Sequence, residues 1–241
     1  MLRRRKSKNL KVVAAFGVRY DKDLLPDLIR NLDFVDDFAI LYDMGRDDLW
    51  RNESEYRVEL RKIADQKGAD WILVTSPDER FEKKVGQKIR RVINSLKEDR
   101  MLQFDLREMW TPDSYRGDGV WGQKVRVRMY PARSDQKYGD LTIHNYPYPV
   151  NEKMEPLYPI IDTGLNIYHL KMIEPQNRRL RAEVFKRLDP GNKIQKIGYD
   201  YLYDEEGIVL EKMPRGREYY PKYKRYIFEI PKDIKKKYKL I

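Results

Sequence analysis

The chain of 241 residues has no cysteine, which excludes disulfides and thiolate metal centres. It has two histidines, His144 and His169, so imidazole chemistry is confined to those two positions. No apolar run approaches the roughly 18 residues that a membrane-spanning helix needs. The N-terminus is basic, but the apolar stretch that follows breaks at Gly17, Arg19 and Asp21 and carries no small-residue cleavage site. It therefore reads as a first strand rather than a signal peptide, and a cytoplasmic location is the expectation. There is no internal repeat and no clear linker, which points to one domain.

The chain does carry a net charge of +11, unevenly placed. Residues 1–11 hold six Lys/Arg and no acid, and residues 212–241 hold eleven against three acids, so the body between them nets −3. Basic ends attract polyanions, nucleic acid or an anionic glycan or lipid surface; equally they are solubilising tails.

The first half alternates strand and helix signals. Residues 11–16 (KVVAAF), 37–42 (DFAILY), 71–75 (WILVT) and 101–110 (MLQFDLREMW) read as strands. Between them lie helical patterns: 23–32 with Pro26 in the first turn, 56–69 ending at Gly68, and a stripe through Phe81, Val85, Ile89, Val92, Ile93 and Leu96. Such alternation builds an α/β fold, a Rossmann-like, mostly parallel sheet flanked by helices, with ligands beyond the carboxyl ends of the strands. After residue 110 the pattern loosens. KVRVRMY alternates like a strand, residues 144–160 hold four prolines and read as loop, and 174–188 is an amphipathic helix.

The tetrapeptide SPDE (76–79) follows the third strand. Ser76 as N-cap, Pro77 at the first helical position and Glu79 form a capping box, worth roughly 1 kcal/mol of helix stability. Asp78 need not take part in the cap. At the tip of a central strand it stands where α/β sheets bind phosphorylated ligands.

ADWILVTSPDERFEK resembles the segment of family 2 glycosyltransferases, of the GT-A fold, in which a D-x-D motif binds a divalent metal and the diphosphate of a nucleotide-sugar. The resemblance runs from about residue 11 to 210. It includes VRYDKDLLPDLIRNL after the first strand, LYDMGRDD after the second, YRGDGVWGQKVRVRMYPARS, and the His-bearing IYHLKMIEPQNRRLRAEVFKRLDP. The resemblance implies a GT-A domain over 11–210, with a nucleotide-sugar-binding half at 11–110 and a loop-rich acceptor-side half at 111–210. A basic arm (1–10) and a basic tail (211–241) flank it.

The implied donor site comprises Gly17, Val18, Arg19, Asp21, Asp43, Arg57, Asp78, Arg80, Lys124 and Arg128, for a donor such as a UDP-sugar. Asp78 and His169 would hold manganese or magnesium. Ser76 replaces the first Asp of D-x-D, so substrate phosphates and water complete the shell, or Arg and Lys neutralise the diphosphate without metal. Lys124, Arg126 and Arg128 share one strand face, where they offset diphosphate charge or form a solvated edge. The base that deprotonates the acceptor hydroxyl would be Asp118 or Asp113; Asp118 also suits an ordinary Asp-Gly turn. Trp121 would stack on the acceptor or anchor its loop in the core, and His144 would face the acceptor pocket. The acceptor is open between a surface glycan or lipid precursor and hydroxymethylated DNA of the kind that bacteriophage glycosyltransferases modify. Two other classes stay open. One is a nucleic-acid-binding module without catalysis that uses its basic ends. The other is a nucleotidyltransferase, for which GVRYD is poor in glycine.

Overall fold

The computed structural model describes residues 10–43, 52–133, 136–141 and 143–240. The strands are β1 (Val12–Val18), β2 (Asp37–Tyr42), β3 (Trp71–Val74), β4 (Glu79–Phe81), β5 (Met101–Glu108), β6 (Ser114–Arg116), β7 (Val125–Pro131), β8 (Ile160–His169) and β9 (Leu210–Lys212). The α-helices are α1 (Leu25–Asn31), α2 (Glu53–Gln66), α3 (Val85–Ser95), the short α4 (Gly119–Gly122), α5 (Pro175–Leu188) and α6 (Lys232–Tyr238).

Seven strands form one mixed sheet in the order β2-β1-β3-β7-β5-β8-β4, and β6 pairs with β9 apart from it. Strands β1, β2, β3, β5 and β8 point one way, while β7 and β4 point the other. This is a mixed α/β architecture with helices on the sheet, compatible with a Rossmann-like fold.

The two-residue period of β1 explains the layers. Val12, Ala14, Phe16 and Val18 face one core with Leu28 of α1 and Val85, Ile89 and Ile93 of α3. Val13 and Ala15 face the other core with Leu60 and Ala64 of α2. Helix α2 starts where Asn52 accepts hydrogen bonds from the backbone of Ser54 at 2.9 Å and Glu55 at 3.4 Å. Among the described residues, no helix is long and apolar enough to cross a membrane.

The capping box at SPDE does not form. Glu79–Phe81 is a strand, paired antiparallel with β8 so that Glu79 faces His169, and α3 begins only at Val85. Ser76 donates its hydroxyl to Asp78 at 2.6 Å instead of capping. Strand pairing prevails because Phe81 gains a buried site edge-on to Phe34 and Phe104, and its N–H donates to the Asn31 side chain at 2.7 Å. Those contacts outweigh a cap's roughly 1 kcal/mol.

The basic C-terminal segment is not a detached tail. Tyr226, Phe228, Ile230 and Ile234 are buried in one cluster with Leu24 and Val184, and β9 closes on β6. Its lysines alternate with aromatic and aliphatic side chains, which bury while the ammonium groups stay in water. The N-terminal arm falls, except for Leu10, outside the described residues, as do 44–51 of the loop after β2.

Candidate functional site

A cavity of about 290 Å³ opens at the carboxyl ends of β1, β2 and β3. Of the expected donor-site residues, Gly17, Val18, Arg19, Asp21, Asp43, Arg57, Asp78 and Arg128 line it, and so does His169. They come from β1 and the loop after it, the loop after β2, α2, the turn after β3, β7 and β8.

Gly17, the penultimate residue of β1, lies under Tyr56. A Cβ at this position would lie 2.3 Å from the Tyr56 hydroxyl, so only glycine lets α2 close onto the strand. Arg19 pairs with Asp43 at 3.4 Å and stacks over Tyr20. Asp21 is buried and accepts the Arg19 N–H at 3.3 Å. Burial pushes its pKa up to about 6; Lys171 opposes the rise and the Asp78 charge adds to it.

The centre is a row of alternating charges. Lys171 Nζ lies 3.1 Å from Asp78 Oδ2, and the same oxygen faces His169 Nε2 at 3.1 Å. His169 Nδ1 faces Glu108 Oε2 at 2.5 Å, and Glu108 Oε1 accepts from Lys124 at 3.0 Å. Burial alone would raise the carboxyl pKa values. For Asp78 the charges of Lys171 and His169, and for Glu108 those of His169 and Lys124, hold them well below the usual range. Burial works against a charged imidazole, yet Glu108 and Asp78 together raise the His169 pKa. A carboxylate at each ring nitrogen favours the protonated form of His169, which donates on both sides.

That arrangement does not fit the expected metal centre. A doubly donating imidazolium has no lone pair for a cation. Asp78 has Ser76 on one oxygen and two cationic groups on the other. Among the described residues, no three His, Asp or Glu side chains converge to hold a metal. Positive charge at this point is supplied by Lys171 instead.

Several expected residues are elsewhere. Arg80 is buried away from the cavity, where its guanidinium donates to the carbonyls of Pro77 and Glu79, both at 2.7 Å, and Leu24 at 3.1 Å. It clamps the 76–80 turn and is not placed to touch a ligand. Lys124 is absent from the cavity wall and reaches the site only through Glu108. Trp121 is a core residue, edge-on to Trp110 with centroids 5.5 Å apart and under the Lys124 ammonium at 3.8 Å. His144 lies outside the cavity. Its ring packs on Phe185 at 4.9 Å, with Nε2 3.2 Å from the Tyr199 hydroxyl.

Neither expected base reaches the cavity. Asp118 is clasped by Arg116, with Nε at 2.9 and 3.0 Å from its two oxygens, and accepts the Val209 N–H at 3.0 Å. Asp113 accepts from the Thr111 and Ser114 hydroxyls in an exposed turn. Both carboxylates are engaged in holding loop structure.

Sequence reading missed Tyr56, Glu108, Lys171, Arg181 and Phe228, which also line the site. Lys171 had a signal, since it follows His169 by two residues just beyond β8. Phe228 had none, because its place depends on the fold of the C-terminal segment. No model of a known protein family matches the chain, and no curated protein matches it.

Proposed function

We propose that the protein is a glycosyltransferase of GT-A type that moves a sugar from a nucleoside-diphosphate donor to a hydroxyl acceptor. The observation that carries this reading is the convergence of Gly17, Arg19, Asp21, Asp43, Arg57, Asp78 and Arg128 on one cavity at the carboxyl edge of β1–β3. The nucleoside lies toward Arg19, Tyr20 and Asp43. The diphosphate lies toward Lys171 and Arg128, whose charges offset the negative charge that grows on the leaving group. The acceptor hydroxyl oxygen bonds to the anomeric carbon as the carbon–oxygen bond to the diphosphate breaks; the diphosphate leaves with the electron pair, and the hydroxyl proton passes to solvent. Holding both substrates in line supplies much of the rate enhancement.

The test is a thermal-shift screen of UDP, GDP, TDP and CDP, followed by transfer and hydrolysis assays with the matching nucleotide-sugars. A ligand at 100 times its dissociation constant stabilises by roughly 2.7 kcal/mol, an easily measured shift. If no nucleoside diphosphate raises the unfolding midpoint, the proposal fails.

A second reading has one observation in its favour. Helix α6 carries Lys232, Lys236 and Lys237 on its exposed face, a surface for a polyanion. As a nucleic-acid-binding module, the protein retains duplex DNA with a steep salt dependence that disappears when these lysines become glutamine.

A further inference from the structure

Across the cavity from Arg19 and Asp43, Arg126 of β7 and Arg181 of α5 contribute to the wall. Most cations of this site have an acid: Arg19 has Asp43, Arg128 has Glu79, Lys171 has Asp78 and Lys124 has Glu108. Arg126 and Arg181 do not. Arg126 donates to the Val125 carbonyl at 2.9 Å, and Arg181 makes a 3.6 Å contact with the Met172 sulfur. Among the described residues, neither has a carboxylate at ion-pair distance. The acids nearest Arg126, Glu79 and Glu108, are already taken by Arg128 and by Lys124 and His169. Desolvation first, then the charge of Arg128, draws the Arg126 pKa down; Glu108 and Glu79 oppose the fall, and Arg181 adds a smaller lowering. Arg126 is exposed and Arg181 half-buried, so both can meet a ligand in the cavity, and an anion there supplies the acid partner they lack.

Their position says which anion. The sheet order places β7 beyond β3 from β1 and β2. A donor with its nucleoside over β1 and β2 and its phosphates at Asp78 and Lys171 turns its reacting end toward β7. We propose that Arg126 and Arg181 bind a phosphate or carboxylate group of the acceptor, so that the acceptor is an acidic, hydroxyl-bearing molecule rather than a neutral one. The assignment of that anion to the acceptor rests on the glycosyltransferase reading.

Calorimetric titration of the full chain tests it, with UDP titrated alone and the other probes titrated in its presence. Glycerol 1-phosphate and glucuronic acid are the acidic probes, and glycerol and glucose the neutral ones. The acidic probes bind more tightly than the neutral ones, and the stronger of the two tells phosphate from carboxylate. Arg126→Gln with Arg181→Gln weakens the acidic probe by about tenfold or more and leaves UDP affinity unchanged. Arg126→Lys with Arg181→Lys recovers part of the loss and controls for folding. The inference is overturned if acidic and neutral probes bind alike, if the Gln pair does not weaken the acidic probe, or if it weakens UDP by the same factor, which would assign the pair to the donor. If UDP fails to bind while the acidic probe binds through the arginines, the anion site stands and the donor reading falls.

Discussion

The ammonium of Lys171 lies 3.1 Å from the carboxylate of Asp78, at the carboxyl edge of the sheet. Asp78 is 1% exposed, so its charge is tolerable only because Lys171 and His169 both face it. Lys171→Ala leaves a buried carboxylate with one cationic partner fewer. It is expected to lower unfolding free energy by about 3 kcal/mol in urea titrations. An unchanged midpoint would show that the pair is not buried as described.

The same pair bears on metal dependence. With Lys171 neutralising the centre, UDP affinity is the same in EDTA as in manganese. Tightening by about tenfold on adding manganese would mean that substrate phosphates recruit an ion to Asp78 after all.

Asp21 sets a pH dependence. Its folded pKa is about 6 against 3.8 when exposed. Between those values the folded state holds a proton that the unfolded state has released. Its contribution to stability is therefore greatest below pH 4 and is lost as pH rises through about 6. The facing charges are Lys171, which opposes the shift, and Asp78, which adds to it. Asp21→Asn escapes this loss, so its stability advantage over the wild type grows from pH 4 to pH 7 by something like 2–3 kcal/mol. A difference that stays flat across that range would refute the assignment.

Gly17→Ala drives a methyl group into the Tyr56 hydroxyl. Tyr56 must shift, at a cost of about 1–3 kcal/mol. Because both residues line the cavity, nucleoside diphosphate affinity falls with stability. Gly68→Ala is the control for a change of backbone preference alone: Gly68 has φ +68° and open space around it, so stability falls there without loss of binding.

Phe228 distinguishes a folded C-terminal segment from a tail. It is 8% exposed and stands against Tyr20, with ring centroids 5.5 Å apart. Phe228→Ala is expected to cost about 3 kcal/mol in chemical denaturation, whereas a residue in a detached tail costs nothing measurable.

Much of the donor half was legible because it depends on local pattern. The alternation in VVAAF places Val12 and Ala14 opposite Val13 and Ala15, and strand ends in an α/β sheet are where ligands bind. That reasoning brought Arg19, Asp43 and Asp78 to one cavity. It failed at SPDE, whose strand partner His169 lies ninety residues away, and local capping preference contains no trace of such a partner. It failed likewise at the C-terminal segment, where lysines between the aromatics obscured the buried face.

By itself, the sequence determined the sheet-building runs, the helices between them and the charge-rich stretches at the strand tips, because hydrophobic periodicity and turn chemistry act over a few residues. Only the tertiary structure decided which of those charges are spent on one another. Asp118 is occupied by Arg116 and Asp78 by Lys171 and His169, while Arg126 and Arg181 line the cavity with no carboxylate at ion-pair distance among the described residues. Ion pairing depends on distances of a few ångströms between side chains far apart in the chain, and those distances exist only once the sheet has closed.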